Sequence, residues 1–239
     1  LLPGVDHVAL GGFTGMSVVA AVGRPYGEFY AVTTAKDAQG RTIVDEETGI
    51  PLNADRAEYL GNYNPDFQAS LGTNLTYKQV SLSVLFDTKQ GGEFFSRTKD
   101  IMAFNGTSAE TGGERIGVIY PNSVYLDADG NSVENTVGYN KQDYYGGTRP
   151  AGTNIVDASY IKLRSASLSY KFTKQQLRRS PFGGLSVGVY GNNLFIWTAA
   201  ENKYADPEIN SAGAGNVQGF DFSAQPSVRN YGLNVKVSF

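Results

Sequence analysis

Residues 227–239 read S-V-R-N-Y-G-L-N-V-K-V-S-F, and their alternation is strict. Tyr231, Leu233, Val235, Val237 and Phe239 fall on one side of an extended chain, and Gly232, Asn234, Lys236 and Ser238 on the other, because successive side chains of a strand point to opposite faces. The stretch is therefore a strand with one apolar face and one polar, sparsely charged face. Two settings produce this pattern. A transmembrane β-barrel is built from segments of roughly ten residues, apolar toward lipid and polar toward the lumen, with aromatic residues at the interfaces. A soluble antiparallel sheet alternates in the same way when one face covers a core.

Composition narrows the choice of chemistry more than the choice of fold. The 239 residues include 15 Tyr, 13 Phe and 29 Gly at a mean hydropathy of -0.28, a glycine-rich, aromatic-rich and rather polar chain that suits a barrel with a wet interior. No run of even about ten apolar residues occurs, and Val18 to Val22 is among the longest, so a spanning helix of roughly twenty is excluded and any membrane reading must use strands. A net charge of -3, with no basic cluster beyond Arg178 and Arg179, argues against a nucleic-acid surface. There is no cysteine for a disulfide or thiolate metal site, and the single histidine, His7, cannot build a zinc cage alone. Leu1 opens the sequence without the charged and apolar regions of a signal peptide.

Taken in order, the first strand candidates are Met16 to Val22 and Gly27 to Val32, joined by the turn residues Gly23-Arg24-Pro25-Tyr26. A polar, turn-rich connection from Thr33 to Pro65 follows. Gln68 to Tyr77 places Ala69, Leu71, Thr73, Leu75 and Tyr77 on one face, Val80 to Phe86 does the same with Val80, Leu82, Val84 and Phe86, and only Lys78 and Gln79 separate them, which predicts a tight hairpin. From Thr88 to Asn154 the chain is dense in Gly, Asn, Asp, Thr and Tyr, with a helix expected over Glu93 to Phe104. Ser159 to Phe172 is the next strand; its apolar parity changes between Leu163 and Ala166, predicting a bulge near Ser165. Thr173 to Gly184 turns the chain back into a strand from Leu185 to Phe195, and Thr198 to Pro226 leads to the closing strand. Connections thus alternate short and long. Outer-membrane barrels have short periplasmic turns and long extracellular loops, whereas a soluble sandwich has no reason to sort its loops by end. The expected fold is all-β: an antiparallel transmembrane β-barrel segment with long extracellular loops at 33–65, 88–154 and 198–226 and a periplasmic C-terminus.

Several stretches resemble, in order along the chain, the C-terminal part of the SusC/RagA-type TonB-dependent outer-membrane transporters of Bacteroidetes. They are Gly23-Arg-Pro-Tyr-Gly-Glu-Phe-Tyr30, Gly61-Asn-Tyr-Asn-Pro-Asp-Phe67, the strand Leu82 to Lys89 running into Gln90-Gly-Gly-Glu93, Ala158-Ser-Tyr-Ile-Lys-Leu-Arg164 with Leu168-Ser-Tyr170, Val189-Tyr-Gly-Asn-Asn-Leu-Phe195, Tyr204-Ala-Asp-Pro-Glu208, and Pro226 to Phe239. Each is weak alone; the ordered series is specific. It covers nearly all of residues 1–239 and implies the C-terminal strands of a barrel of about 22 strands, with the plug domain, the TonB box and the earlier strands absent. About seven spanning strands are expected, an odd number that does not close such a barrel, and open edges are not viable in lipid. The chain is therefore expected to be stable only beside the remainder of the barrel.

The resemblance implies a Gram-negative outer-membrane importer of glycans or peptides, with a SusD-type surface lipoprotein as lid and TonB acting through the missing N-terminal part. It also implies that Tyr231 and Phe239 bear the signal read by the barrel-assembly machinery. No cofactor and no enzyme activity are implied. Other readings are a receptor for iron chelates or cobalamin, and a soluble β-sandwich adhesin.

The residues themselves offer no catalytic constellation. A Ser, His and Asp arrangement would have to use His7, placed ahead of the first strand candidate. Asp127-Ala-Asp-Gly-Asn-Ser132 resembles the start of a calcium loop, but Gly130 is out of position and Gly138 stands where a bidentate Glu belongs; a solvated turn is the expectation. Asp206 and Glu208 are expected in a structured loop. Trp197 and Tyr120, Tyr125, Tyr139, Tyr144, Tyr145 and Tyr204 could stack on sugars, but girdle and loop packing is the preferred reading.

Overall fold

The structure is a computed structural model that describes residues 4–239, apart from the Thr148 side chain. It divides into two compact units, one formed by residues 65–91, 158–200 and 225–239, the other by 4–64, 92–157 and 201–224.

The first unit is a single five-stranded sheet in which Phe67–Tyr77, Val80–Gln90, Tyr160–Lys171, Gly184–Thr198 and Asn230–Ser238 pair in chain order, every pair antiparallel. The strands are 11, 11, 12, 15 and 9 residues long, which meets the length of about 9–11 residues that a tilted strand needs to cross a bilayer. Lys78 and Gln79 close the hairpin as expected, with Lys78 at a φ of 53°, the left-handed conformation that a two-residue primed turn demands.

Register fixes the two faces. Leu75 pairs with Leu82, Leu82 with Leu168, Leu168 with Val189 and Val189 with Leu233, so one row of aliphatic side chains crosses the whole sheet. Their exposures are 59, 37, 48, 51 and 76%, so nothing among the described residues covers the row. One residue further along, Thr76, Ser81, Ser169, Gly188 and Asn234 form the matching row of the opposite, polar face. On that polar face Arg164 grips Asp87, with Nε 3.1 Å from Oδ1 and Nη2 2.5 Å from Oδ2. The predicted bulge is present: pairing shifts between Leu163 and Ser165, and Asn193 takes a φ of 52° opposite it, so the apolar parity is restored and Ile161, Leu163, Phe195 and Trp197 rejoin the apolar face.

The second unit corrects two expectations. Met16–Ala21 and Glu28–Ala31 are 6 and 4 residues long and lie with His7–Phe13 and Glu58–Asn62 in a separate antiparallel four-stranded sheet, so among the described residues five strands, not about seven, have spanning length. They read as wall strands because they are apolar, but Met16, Val18, Phe29 and Ala31 point into a core shared with Tyr63, Phe95 and Phe220. The expected helix over Glu93 to Phe104 begins later. Glu93–Ser96 is a strand between Ile155–Asp157 and Phe220–Asp221, and only Arg97–Phe104 is helical. Phe94 and Phe95 are fully buried on opposite faces of that strand, so Phe94, which falls near one helical stripe with Ile101 and Phe104 in the sequence, belongs to the strand instead. The long stretch from Thr88 to Asn154 also carries a hairpin, Ser123–Leu126 with Ser132–Glu134, and the paired Val118–Ile119 and Gly138–Tyr139.

Gly219 shows how tightly this core closes. It has a φ of 74°, and a Cβ there would lie 2.8 Å from both Phe29 Cζ and Tyr63 Cβ, so glycine meets both the backbone and the space requirement.

Candidate functional site

The polar end of the second unit's core is organised by one short helix. Ser96 caps Arg97–Phe104, its Oγ accepting from Lys99 N at 3.1 Å and donating to Asp221 Oδ2 at 2.8 Å, while Thr98 N donates to the same carboxylate oxygen at 3.2 Å. A fully buried Asp221 thus satisfies the helix start and sits where the positive end of the helix dipole favours an anion. This orients Lys99, whose Nζ donates to the Thr153 carbonyl at 2.8 Å and stands 5.8 Å from the Tyr204 ring centroid. Burial, aided by the nearby Arg149 charge and opposed by Glu110 and Glu201, pushes the Lys99 ammonium down to about 8.

Arg149 is held from the same direction. Its Nε donates to Thr153 Oγ1 at 2.8 Å, its guanidinium lies 5.3 Å from the Tyr145 ring centroid, and its Nη1 is 3.5 Å from Glu110 Oε1, an ion contact without hydrogen-bond alignment. Four tyrosines pack around this group: Tyr120 with Tyr139 at 5.7 Å, Tyr120 with Tyr144 at 5.9 Å, Tyr139 with Tyr144 at 6.0 Å and Tyr144 with Tyr145 at 5.1 Å. Burial raises the phenol pKa of Tyr139, Tyr144 and Tyr145, so they stay neutral donors.

Beside the cluster opens a cavity of about 310 Å³. Phe95, Ile101, Phe104 and Ala151 form its apolar side, and Arg97, Asp100, Arg149 and Asn154 its polar side. Asn154 is 2% exposed, and its Oδ1 has no hydrogen-bond partner among the described residues; the buried Arg97 Nε also lacks one there. Unpaired buried polar atoms lining a cavity cost stability unless a ligand group or water meets them. The arrangement can offer cationic and amide hydrogen bonds to an oxygen-bearing ligand while an apolar part lies against Phe95 and Phe104. The one imidazole, His7, opens the strand His7–Phe13 and packs on Tyr30 at 4.6 Å.

The residues singled out from the sequence separate accordingly. Tyr231 and Phe239 are both exposed, Tyr231 on the apolar face of the five-stranded sheet and Phe239 just after the last strand, 5.8 Å from the Phe182 ring. Tyr120, Tyr139, Tyr144 and Tyr145 pack on one another, and Trp197 stacks on Phe195 at 5.9 Å on the apolar face, as the packing reading expected. Asp127 Oδ1 accepts from the backbone N–H groups of Asp129 and Asn131 at 3.0 and 2.8 Å, so that carboxylate closes its own turn. Lys99, Arg149 and Asn154 were not found by sequence reasoning, because no spacing rule links residues brought together by a helix cap and a loop.

A sheet of spanning strands with one uncovered apolar face defines the wall of a membrane β-barrel. The comparisons agree on the particular kind. No family model matches the chain. Two curated proteins of Formosa agariphila named TonB-dependent receptor P3 and TonB-dependent receptor P26 are 23% and 26% identical over 207 residues, 84% of this chain, and the chain spans about a fifth of their length, 19% and 20%. Among solved structures, the RagAB peptide transporter matches with a TM-score of 0.67 at 18% identity, over 100% of this chain and 25% of that one, and the RagAB peptide importer in its closed-closed state with 0.62 at 17%. The resemblance to SusC/RagA-type TonB-dependent receptors is borne out, and the fold is that of the barrel those structures contain, of which these residues form no closed barrel.

Proposed function

We propose that this chain is the C-terminal portion of a TonB-dependent outer-membrane importer of the SusC/RagA type, taking up glycans or peptides beneath a SusD-type surface lipoprotein. The observation that carries this reading is the uncovered aliphatic row from Leu75 to Leu233 on strands of spanning length. In water such a face would aggregate; in a bilayer it is the lipid side, and the polar row beside it faces the lumen. The connections that leave the Gln90, Tyr160, Thr198 and Asn230 ends of the strands are long, and the turns at 78–79 and 172–183 are short. The long ones are accordingly placed outside the cell and Phe239 in the periplasm. Ligand captured outside enters when TonB, energised from the inner membrane, displaces the plug; the wall and loops described here shape the path. Tyr231 and Phe239 are assigned to the assembly signal.

The test is to extract the protein from its native outer membrane in mild detergent and identify its companions by mass spectrometry. Plug and upstream barrel peptides together with a lid lipoprotein are expected. Recovery of the chain alone from the soluble fraction would overturn the proposal, and recovery of a complete barrel without any lipoprotein would remove the lid from it.

A further inference from the structure

The apolar face is not smooth. A groove of about 550 Å³ crosses it, walled by Leu82, Leu168, Val189 and Leu233 and floored at Ala166 and Gly191. Ala166 and Gly191 are directly paired, so two of the smallest side chains lie side by side where every flanking position is large. The space over Gly191 is reserved by its neighbours: a Cβ there would lie 2.5 Å from Leu194 Cδ2 and 3.3 Å from Tyr231 Cδ1. Leu194 reaches that position because the bulge at Asn193 turns it toward the apolar side.

The upper end of the groove carries a charge. Asn193 Nδ2 donates to the Val228 carbonyl at 3.2 Å, which fixes the approach to the last strand against the bulge. The next residue, Arg229, is exposed and its guanidinium stands 5.7 Å from the Phe195 ring centroid, on the apolar face and two residues from the groove-lining Tyr231. It packs on that aromatic face, and no carboxylate among the described residues pairs with it. Phe195 and Trp197 stack beside it, and both are half exposed. An arginine among aromatic residues at the edge of a lipid-facing surface lies at headgroup depth.

We propose that this groove binds one membrane lipid with an anionic phosphate headgroup, its acyl chain along Leu82, Ala166, Leu168, Gly191 and Leu233 and its phosphate on Arg229. This rests on the membrane reading of the sheet. Charge complementarity selects the occupant: a guanidinium matches phosphate with paired N–H donors, and a neutral or zwitterionic headgroup leaves the cation without a net anionic partner. An acyl chain fits a slot with almost no polar lining.

The intact barrel protein, reconstituted into nanodiscs containing equal phosphatidylcholine and phosphatidylglycerol and released for native mass spectrometry, tests this. The wild type is expected to retain phosphatidylglycerol over phosphatidylcholine by about fivefold, the ratio expected of one basic residue at an anionic surface. Arg229→Gln is expected to bring the ratio close to one, and Ala166→Leu, which enlarges a side chain of the groove floor, to reduce retention of both lipids. Equal retention by the wild type, or a preference unchanged in both variants, overturns the proposal. Failure to enter nanodiscs at all would instead overturn the membrane reading beneath it.

Discussion

Neighbouring residues of one strand provide the sharpest test of the wall. Leu233 and Asn234 share a backbone, a depth and a loop environment, and differ in the face they occupy. Phe239 ends the chain at the periplasmic interface in the proposed orientation, and Leu233 lies six residues before it (239 − 233). At about 3.3 Å per residue and a tilt of about 45°, six residues climb about 14 Å, close to half of an apolar band about 25 Å tall. Leu233 is thus near the bilayer centre, where an outward arginine costs ~2–4 kcal/mol. Leu233→Arg should therefore lower the folding equilibrium of the intact protein in liposomes by about 30- to 800-fold. Asn234→Arg, whose side chain enters the lumen side beside Gly188, should lower it less than about fivefold, under ~1 kcal/mol. Urea titration followed by tryptophan fluorescence measures both, since Trp197 lies on the apolar face. Equal effects of the two substitutions, or a larger effect of Asn234→Arg, would refute the assignment of faces.

Other outcomes follow from single contacts. Phe239→Ser should reduce the amount of protein inserted in the outer membrane, measured by surface labelling; unchanged surface levels would remove Phe239 from the assembly signal. Asp221→Ala deprives Ser96 Oγ and Thr98 N of their buried acceptor and should cost about 2 kcal/mol, seen as amide exchange roughly 30-fold faster across 97–104; unaltered exchange there would show that the cap contributes nothing. The ordinary Lys99 ammonium value of 10.5 falls to about 8 on folding, so the unfolded chain binds more protons between those values and stability rises with pH across that window. From pH 8 to 9.5, before the tyrosines titrate, the gain should be ~1–2 kcal/mol, and a pH profile of urea midpoints that is the same in Lys99→Met would show the group is not the source.

What was legible in the sequence follows from what each strand separates. Leu71, Leu75, Leu82, Leu168, Val187 and Val235 alternate with small or polar residues because their sheet divides two media, and a period of two then survives in the sequence. Even the bulge left a trace, since Leu163 and Ala166 break parity by one residue. The second unit has no such division. Phe94 and Phe95 are adjacent and both buried, and Val18 and Val19 likewise, because each of their two sheets is covered on both faces at these positions, which leaves short apolar runs that periodicity cannot assign.

The same argument explains why the polar cluster escaped detection while the lipid groove left a faint sign. Lys99 and Arg149 are both hydrogen-bonded to Thr153, and Lys99 is positioned by a capping serine and an aspartate at position 221, more than a hundred residues away from Ser96; their chemistry exists only after the fold brings distant segments together. Ala166 and Gly191, in contrast, occupy apolar-face positions of strands whose other outward residues are Leu, Val, Tyr and Phe. A smooth lipid wall gains area from a large side chain at every outward position, so two paired small residues forgo that gain together. Gly191 alone is accounted for by the crowding of Leu194 and Tyr231. Ala166, paired directly with Gly191, completes the floor of a slot shaped for an acyl chain beneath Arg229.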